Sequence, residues 1–181
     1  MIIFTGGCIK MINDIKALIR QGYISKDDSV KNLSQRYLEK AKNNLITMQI
    51  LSEINKNKKA RELLKIPMGY NSDEWVVITG YYGMYSSALA LIAKIGYKSK
   101  NYNGTIILLE EFFIKRKLIS KEDLNLLKNA MLQKGEIEKL SEARHKREIA
   151  QYSVTKQTTK EIAESIKQDA YNFINKIDFI I

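Results

Sequence analysis

Trp75-Val76-Val77-Ile78-Thr79-Gly80-Tyr81-Tyr82-Gly83-Met84-Tyr85-Ser86-Ser87-Ala88-Leu89-Ala90-Leu91-Ile92-Ala93 carries no charged side chain. Its length approaches that of a membrane span, but Thr79, the two glycines, three tyrosines and two serines make it too polar for one. A helix without a polar face that stays in water must be surrounded by other helices. Gly80, Gly83, Ser87 and Ala90 would let those neighbours approach closely. The stretch therefore predicts the central helix of an all-α bundle. Asn71 or Ser72 caps its start, with Asp73 and Glu74 in the first turn where the helix dipole favours acids. Gly96 ends it, with Lys94 in its last turn.

The flanking sequence reads as helices too. One proline, Pro67, in 181 residues leaves little of the turn punctuation that sheet-rich proteins need. Met11 to Arg20 predicts a first helix, ended by Gly22. From Ser29 to about Asn55, Val30, Leu33, Tyr37, Ala41, Leu45, Met48 and Leu51 recur at helical spacing and predict a long amphipathic helix. A short helix over Lys58 to Leu64 stops before Pro67. Tyr97 to Asn103 reads as a basic loop, and a helix follows Gly104 from Thr105 to Phe113. Ser120 and Asp123 form the pattern of a helix start. Gly135 marks an interruption before a helix from Ile137 to Tyr152. Thr158-Thr159-Lys160-Glu161 fits a capping box that opens a last helix with Ile162, Ile166, Ala170, Phe173, Ile174 and Ile177 on one face. No two strand-like runs are joined by a hairpin signal.

The expected organisation is a loose tail over 1–10 and one helical domain over 11–181. Its core spans about 29–152 and its C-terminal helix about 158–181. The opening Met1-Ile2-Ile3-Phe4 lacks the basic start and long apolar run of a signal peptide, and Met11 is an alternative start. With Cys8 the sole cysteine, a disulfide framework within the chain is excluded and a cytoplasmic protein is expected. Cys8 and the single histidine, His145, are too few for a structural zinc site, so neither metal nor cofactor is expected. The net charge of +10 suits an anionic partner such as RNA or a nucleotide. Abundant Lys, Ile and Asn also fit an A- and T-rich genome, which raises Lys without a functional cause.

Two segments carry a resemblance. Tyr81-Tyr82-Gly83-Met84-Tyr85-Ser86-Ser87-Ala88-Leu89-Ala90-Leu91-Ile92 is followed by Gly96-Tyr97 and the apolar Ile106–Phe113. Further on stands Ala143-Arg144-His145-Lys146-Arg147-Glu148-Ile149-Ala150-Gln151-Tyr152. Their order and spacing resemble a prokaryotic subgroup of the HEPN (higher eukaryotes and prokaryotes nucleotide-binding) family. The resemblance implies an up-and-down bundle of about four or five core helices with extra N- and C-terminal helices. It also implies a homodimer with a groove where the two signature helices meet. It implies nucleotide or RNA binding, and pairing with a nucleotidyltransferase antitoxin.

Family ribonucleases place a His after an Arg with about four to six residues between them, for proton transfer beside a charge-stabilising guanidinium. Here Tyr152, Ser153 and Val154 fill that window after Arg147, and Ile149, Ala150 and Gln151 fill it after Arg144. The ribonuclease reading, with His145 or Tyr152 in a rearranged centre, is thus the alternative, alongside a non-catalytic interaction module. The expected site is a phosphate-binding one: Arg144, Arg147, Glu148 and Gln151 on one helical face, Tyr152 beyond them, and Tyr82 and Tyr85 to stack on a base. Arg144 and Glu148 have equally the spacing of a surface ion pair. Tyr81 and Tyr82 cannot both face one way, so one is core. From Lys139 to Lys160 the chain carries six Lys/Arg against two Glu, a strip that suits a phosphate backbone or simply a solvated face.

Overall fold

A computed structural model describes residues 15–146 and 152–181, without the side chains of 139–159. Four long helices form the core: α2 (Ser34–Lys56), α4 (Asp73–Lys94), α6 (Lys121–Lys146) and α7 (Tyr152–Ile180). The partial helix α1 (15–20), α3 (Lys58–Leu63) and α5 (Tyr102–Leu109) are peripheral.

Cross-helix contacts fix the directions. Ser34 Oγ donates to Ala90 O, and Ser72 Oγ donates to Leu51 O, so α2 and α4 are antiparallel. Lys42 pairs with Asp178 and Lys56 with Glu164, so α7 also opposes α2. Lys176 pairs with Asp123, which sets α6 against α7. Consecutive core helices therefore alternate up and down, as expected of an all-α bundle. The C-terminal helix is not an addition to that core. It is the fourth member, with Ala163, Ile166, Ala170, Phe173, Ile174 and Ile177 all buried.

α4 runs through the centre, with Val77, Met84, Ala88, Ala90, Leu91 and Ile92 sealed from solvent. It is long and apolar enough to cross a membrane, yet most of it is buried among its neighbours, which accounts for its composition within a bundle. Its glycines act as foreseen. A Cβ on Gly80 would lie 3.1 Å from Met48 Sδ, and one on Gly83 would lie 3.0 Å from Ile174 Cδ1. These close approaches bring α2 and α7 onto α4.

Several local expectations are corrected. Asp28–Leu33 forms a 3-10 turn capped by Asp27, and α2 begins only at Ser34. The buried stripe of α2 accordingly uses Leu38, with Tyr37 half-buried. Gly135 does not interrupt α6, because Leu127, Ala130 and Ile137 are buried on both sides of it and outweigh its intrinsic cost of about 1 kcal/mol. α7 starts at Tyr152 rather than at Thr158, since Ser153 to Gln157 contains no glycine or proline to stop it. The expected helix after Gly104 begins earlier, at Tyr102. Asn101 Oδ1 caps it by accepting from Gly104 N at 2.8 Å, and it ends in a π-helical turn over Glu110–Ile114.

The Tyr97–Asn103 loop contains a strand the sequence reading lacked. β1 (Ile24–Lys26) pairs antiparallel with β2 (Tyr97–Ser99), in the register Ile24 to Ser99. Gly96, at φ +77°, turns the chain from α4 into β2.

Candidate functional site

α4 and α6 meet along a tyrosine face. At about 100° per residue, positions 81 and 85 share a side of α4 and position 82 is turned away. Tyr81 is buried, and its ring stacks on Tyr85 at 5.8 Å between centroids and 8° between planes. Tyr82 is 43% exposed. Tyr85 is half-buried: its hydroxyl is 3.4 Å from Thr105 Oγ1 and its ring lies 6.3 Å from that of Tyr102 on α5. Of the two tyrosines expected to stack on a base, Tyr82 is the one open to a ligand.

Lys134 of α6 projects into this cluster. Its ammonium lies 5.5 Å from the ring centre of Tyr81 and 5.6 Å from that of Tyr82, and pairs with Glu138 at 2.7 Å. Both ring distances are within the range for cation–π attraction. Sequence reading missed Lys134 because lysine normally signals a solvated face. Its position was the available cue, since Leu127, Ala130 and Ile137 place 134 on the buried row of α6.

Burial, followed by the neighbouring phenols Tyr85, Tyr102 and Tyr82, raises the Tyr81 hydroxyl well above the usual tyrosine range. Burial likewise pushes Tyr102 up to about 12. The Tyr102 hydroxyl is buried and has no hydrogen-bond partner among the described residues. Beside Tyr102, between α5 and α6, lies an open cleft of about 760 Å³, lined by Ile106 and Ile107 of α5 and by Met131, Leu132, Lys128 and Glu136 of α6.

Of the basic signature, Arg144 lies in the last turns of α6 and Tyr152 is the first residue of α7. Arg147, Glu148 and Gln151 lie outside the described residues, as do the side chains of Arg144, His145 and Tyr152. The backbone directions bring the end of α6, the beginning of α7 and the beginning of α4 to the same end of the bundle. Tyr82 is nine residues into α4, roughly 14 Å along it at about 1.5 Å per residue. Among the described residues no group of three His, Cys, Asp or Glu side chains is arranged to hold a metal ion.

An "UPF0332 protein" from Archaeoglobus fulgidus is 33% identical over 98 residues, covering 54% of this chain and 67% of that protein. The chain belongs to the UPF0332 family. No family model matches it, and no solved structure does. In this UPF0332 chain, the described part of the candidate site is therefore the Tyr81–Tyr82–Tyr85 face of α4 with Lys134 of α6 across it.

Proposed function

We propose that this UPF0332 chain is a HEPN-type protein that binds RNA or nucleotides where α4 meets α6. The observation that carries the reading is the pairing of exposed Tyr82 with the Lys134 ammonium. A π-face beside a fixed cation suits an unstacked base and its nearby phosphate. The family resemblance supplies the phosphate grip. Arg147 anchors phosphate, with Arg144 beside it, Glu148 orients a guanidinium, and Gln151 and Tyr152 extend the contact to phosphate or base. In this reading the protein is a cytoplasmic homodimer acting with a nucleotidyltransferase antitoxin, and is a binder rather than a nuclease because no His follows either arginine at the required spacing.

Titration with a short RNA and with AMP, at low and raised salt, tests this. Binding that weakens with salt and is lost in Arg147→Ala and Tyr82→Ala variants that keep their fold is the expected result. Equal binding by both variants refutes it.

One observation favours a second reading, a non-catalytic interaction module. The α5–α6 cleft is apolar and open, with Leu132 exposed on its wall, which suits a helix from a partner. Partner binding that survives Tyr82→Ala but not Leu132→Asp would support this second reading.

A further inference from the structure

We infer that α3 and the turn after it form a second polyanion-binding surface, so that the ligand is a single RNA strand several nucleotides long and not a mononucleotide. This inference rests on the RNA-binding reading above and deepens it.

α3 buries no residue. Its sequence, with the turn that follows, holds Lys58, Lys59, Arg61 and Lys65 against the single acid Glu62. Lys58 reaches Glu62 only at 3.9 Å, with nine-tenths of its side chain in water. Such an exposed pair neutralises little. Yet the shape of this prong is held without burial. Arg61 Nη2 donates to Pro67 O at 2.9 Å and to Tyr70 O at 3.1 Å, and Ile66 N donates to Arg61 O. Lys65 takes up the left-handed region at φ 53° to close the turn. The result presents Tyr70, Leu63, Leu64 and Met68 to solvent among the cations.

The prong stands at the end of the bundle where α6 ends and α7 begins. Ser72 Oγ donates to Leu51 O, and Asn55 Nδ2 donates to Asp73 Oδ1 at 2.6 Å, tying the end of α2 to the start of α4 on either side of α3. Lys56, next to α3 in sequence, pairs with Glu164 of α7 at 2.6 Å. Glu164 is also within electrostatic reach of Lys160 and Lys167, so basic side chains of α7 gather at the end of α2 from which α3 leaves. Exposed lysines carried on a turn of fixed shape suit a phosphate backbone, and the exposed phenol and apolar side chains suit splayed bases, which a duplex would hide. Anionic lipid would also be drawn to the charge, but a bilayer does not call for a turn clamped by two guanidinium hydrogen bonds. From the start of α4 to Tyr82 is roughly 14 Å, at about 1.5 Å per residue. A strand spans that distance, and a mononucleotide stacked on Tyr82 does not.

The test compares wild type with a triple variant, Lys58→Ser, Lys59→Ser and Lys65→Ser, whose side chains are at the surface and whose melting curve should be unchanged. The probes are AMP, oligouridines of graded length, and phosphatidylserine vesicles. Wild type should bind longer oligouridine more tightly than AMP. The triple variant should lose about tenfold affinity for the longest oligouridine, with a salt slope shallower by about 2, the loss of three phosphate contacts. Its affinity for AMP should not change. If the variant binds long oligouridine as wild type does, or wild type binds AMP and oligouridine equally, this inference fails while the Tyr82 site stands. Loss of vesicle binding without loss of oligouridine binding also overturns it. No binding of any RNA or AMP by wild type removes both.

Discussion

The Lys134 ammonium on α6 lies 5.6 Å from the centre of the Tyr82 ring on α4 and 5.5 Å from that of Tyr81. One cation thus serves a buried and an exposed ring, and joins the two helices that frame the candidate site. Its hold on Glu138 fixes the side chain in place. Lys134→Met keeps the apolar stem and removes the charge. It should lower stability by about 1 kcal/mol, the scale of a partly desolvated cation–π contact, read as a shift of the urea unfolding midpoint. An unchanged midpoint would mean that the cation contributes nothing to the helix pairing.

The close approach at Gly83 is a separate determinant. Its missing Cβ would be 3.0 Å from Ile174 Cδ1 and 3.4 Å from the Ala41 carbonyl oxygen. Gly83→Leu should destabilise the bundle by about 2 kcal/mol or more, since α2 and α7 must both move. Gly135→Ala, with nothing within 4 Å of the new Cβ, should stabilise by about 1 kcal/mol through helix propensity alone. Thermal melts of the two variants should move in opposite directions.

Gly96 ends α4 at φ +77°, and an added Cβ would lie 2.5 Å from Asp28 Oδ1. Gly96→Ala should therefore cost more than the roughly 1 kcal/mol of a left-handed alanine. Gly22→Ala, at φ +73° but in open space, should cost about that strain alone. Equal losses in the two variants would show that the Asp28 contact relaxes freely.

Asp123 gives a pH dependence of definite sign. Burial raises its carboxyl, but the hydrogen bonds from Lys176 and from Ser120 outweigh burial and hold it below the usual aspartate range. The capping pair has Ser120 N donating to Asp123 Oδ2 at 2.7 Å and Asp123 N donating to Ser120 Oγ at 3.2 Å. A group held lower in the folded state than in the unfolded one stabilises above the unfolded value, about 3.9. That contribution is lost as pH falls through and below it. Unfolding free energy should fall between about pH 5 and 3, and Asp123→Asn should flatten that fall while lowering stability at neutral pH. An unaltered acid limb in the variant would contradict the assignment.

How far the fold could be read in advance followed the range of the forces involved. The α4 core was legible because nineteen uncharged residues in a row leave a helix within a bundle no polar face to turn outward. The Ser120–Asp123 cap was legible because it acts across three residues. The β1–β2 ribbon was not, because each strand has three residues and Ile24 finds Ser99 only after the bundle has brought them together. The Thr158 capping motif misled for the converse reason, since a local signal is void inside a helix that already began at Tyr152. At the candidate site, sequence showed that Tyr81 and Tyr82 must part company, but not which one faces water. Packing of Tyr81 against Tyr85 decides that, and Lys134 enters only because the α6 row containing Leu127 and Ile137 faces inward.

The central claim is that Tyr82 lies at an RNA-binding groove. Its most direct measurement is quenching of tyrosine fluorescence during oligouridine titration, comparing wild type with Tyr82→Leu. A saturable, salt-sensitive quench in wild type, with affinity reduced about fivefold or more in the variant, is the expected outcome for loss of one base–aromatic stack worth roughly 1–3 kcal/mol. A variant that binds oligouridine as tightly as wild type, with its fold intact, would contradict the claim.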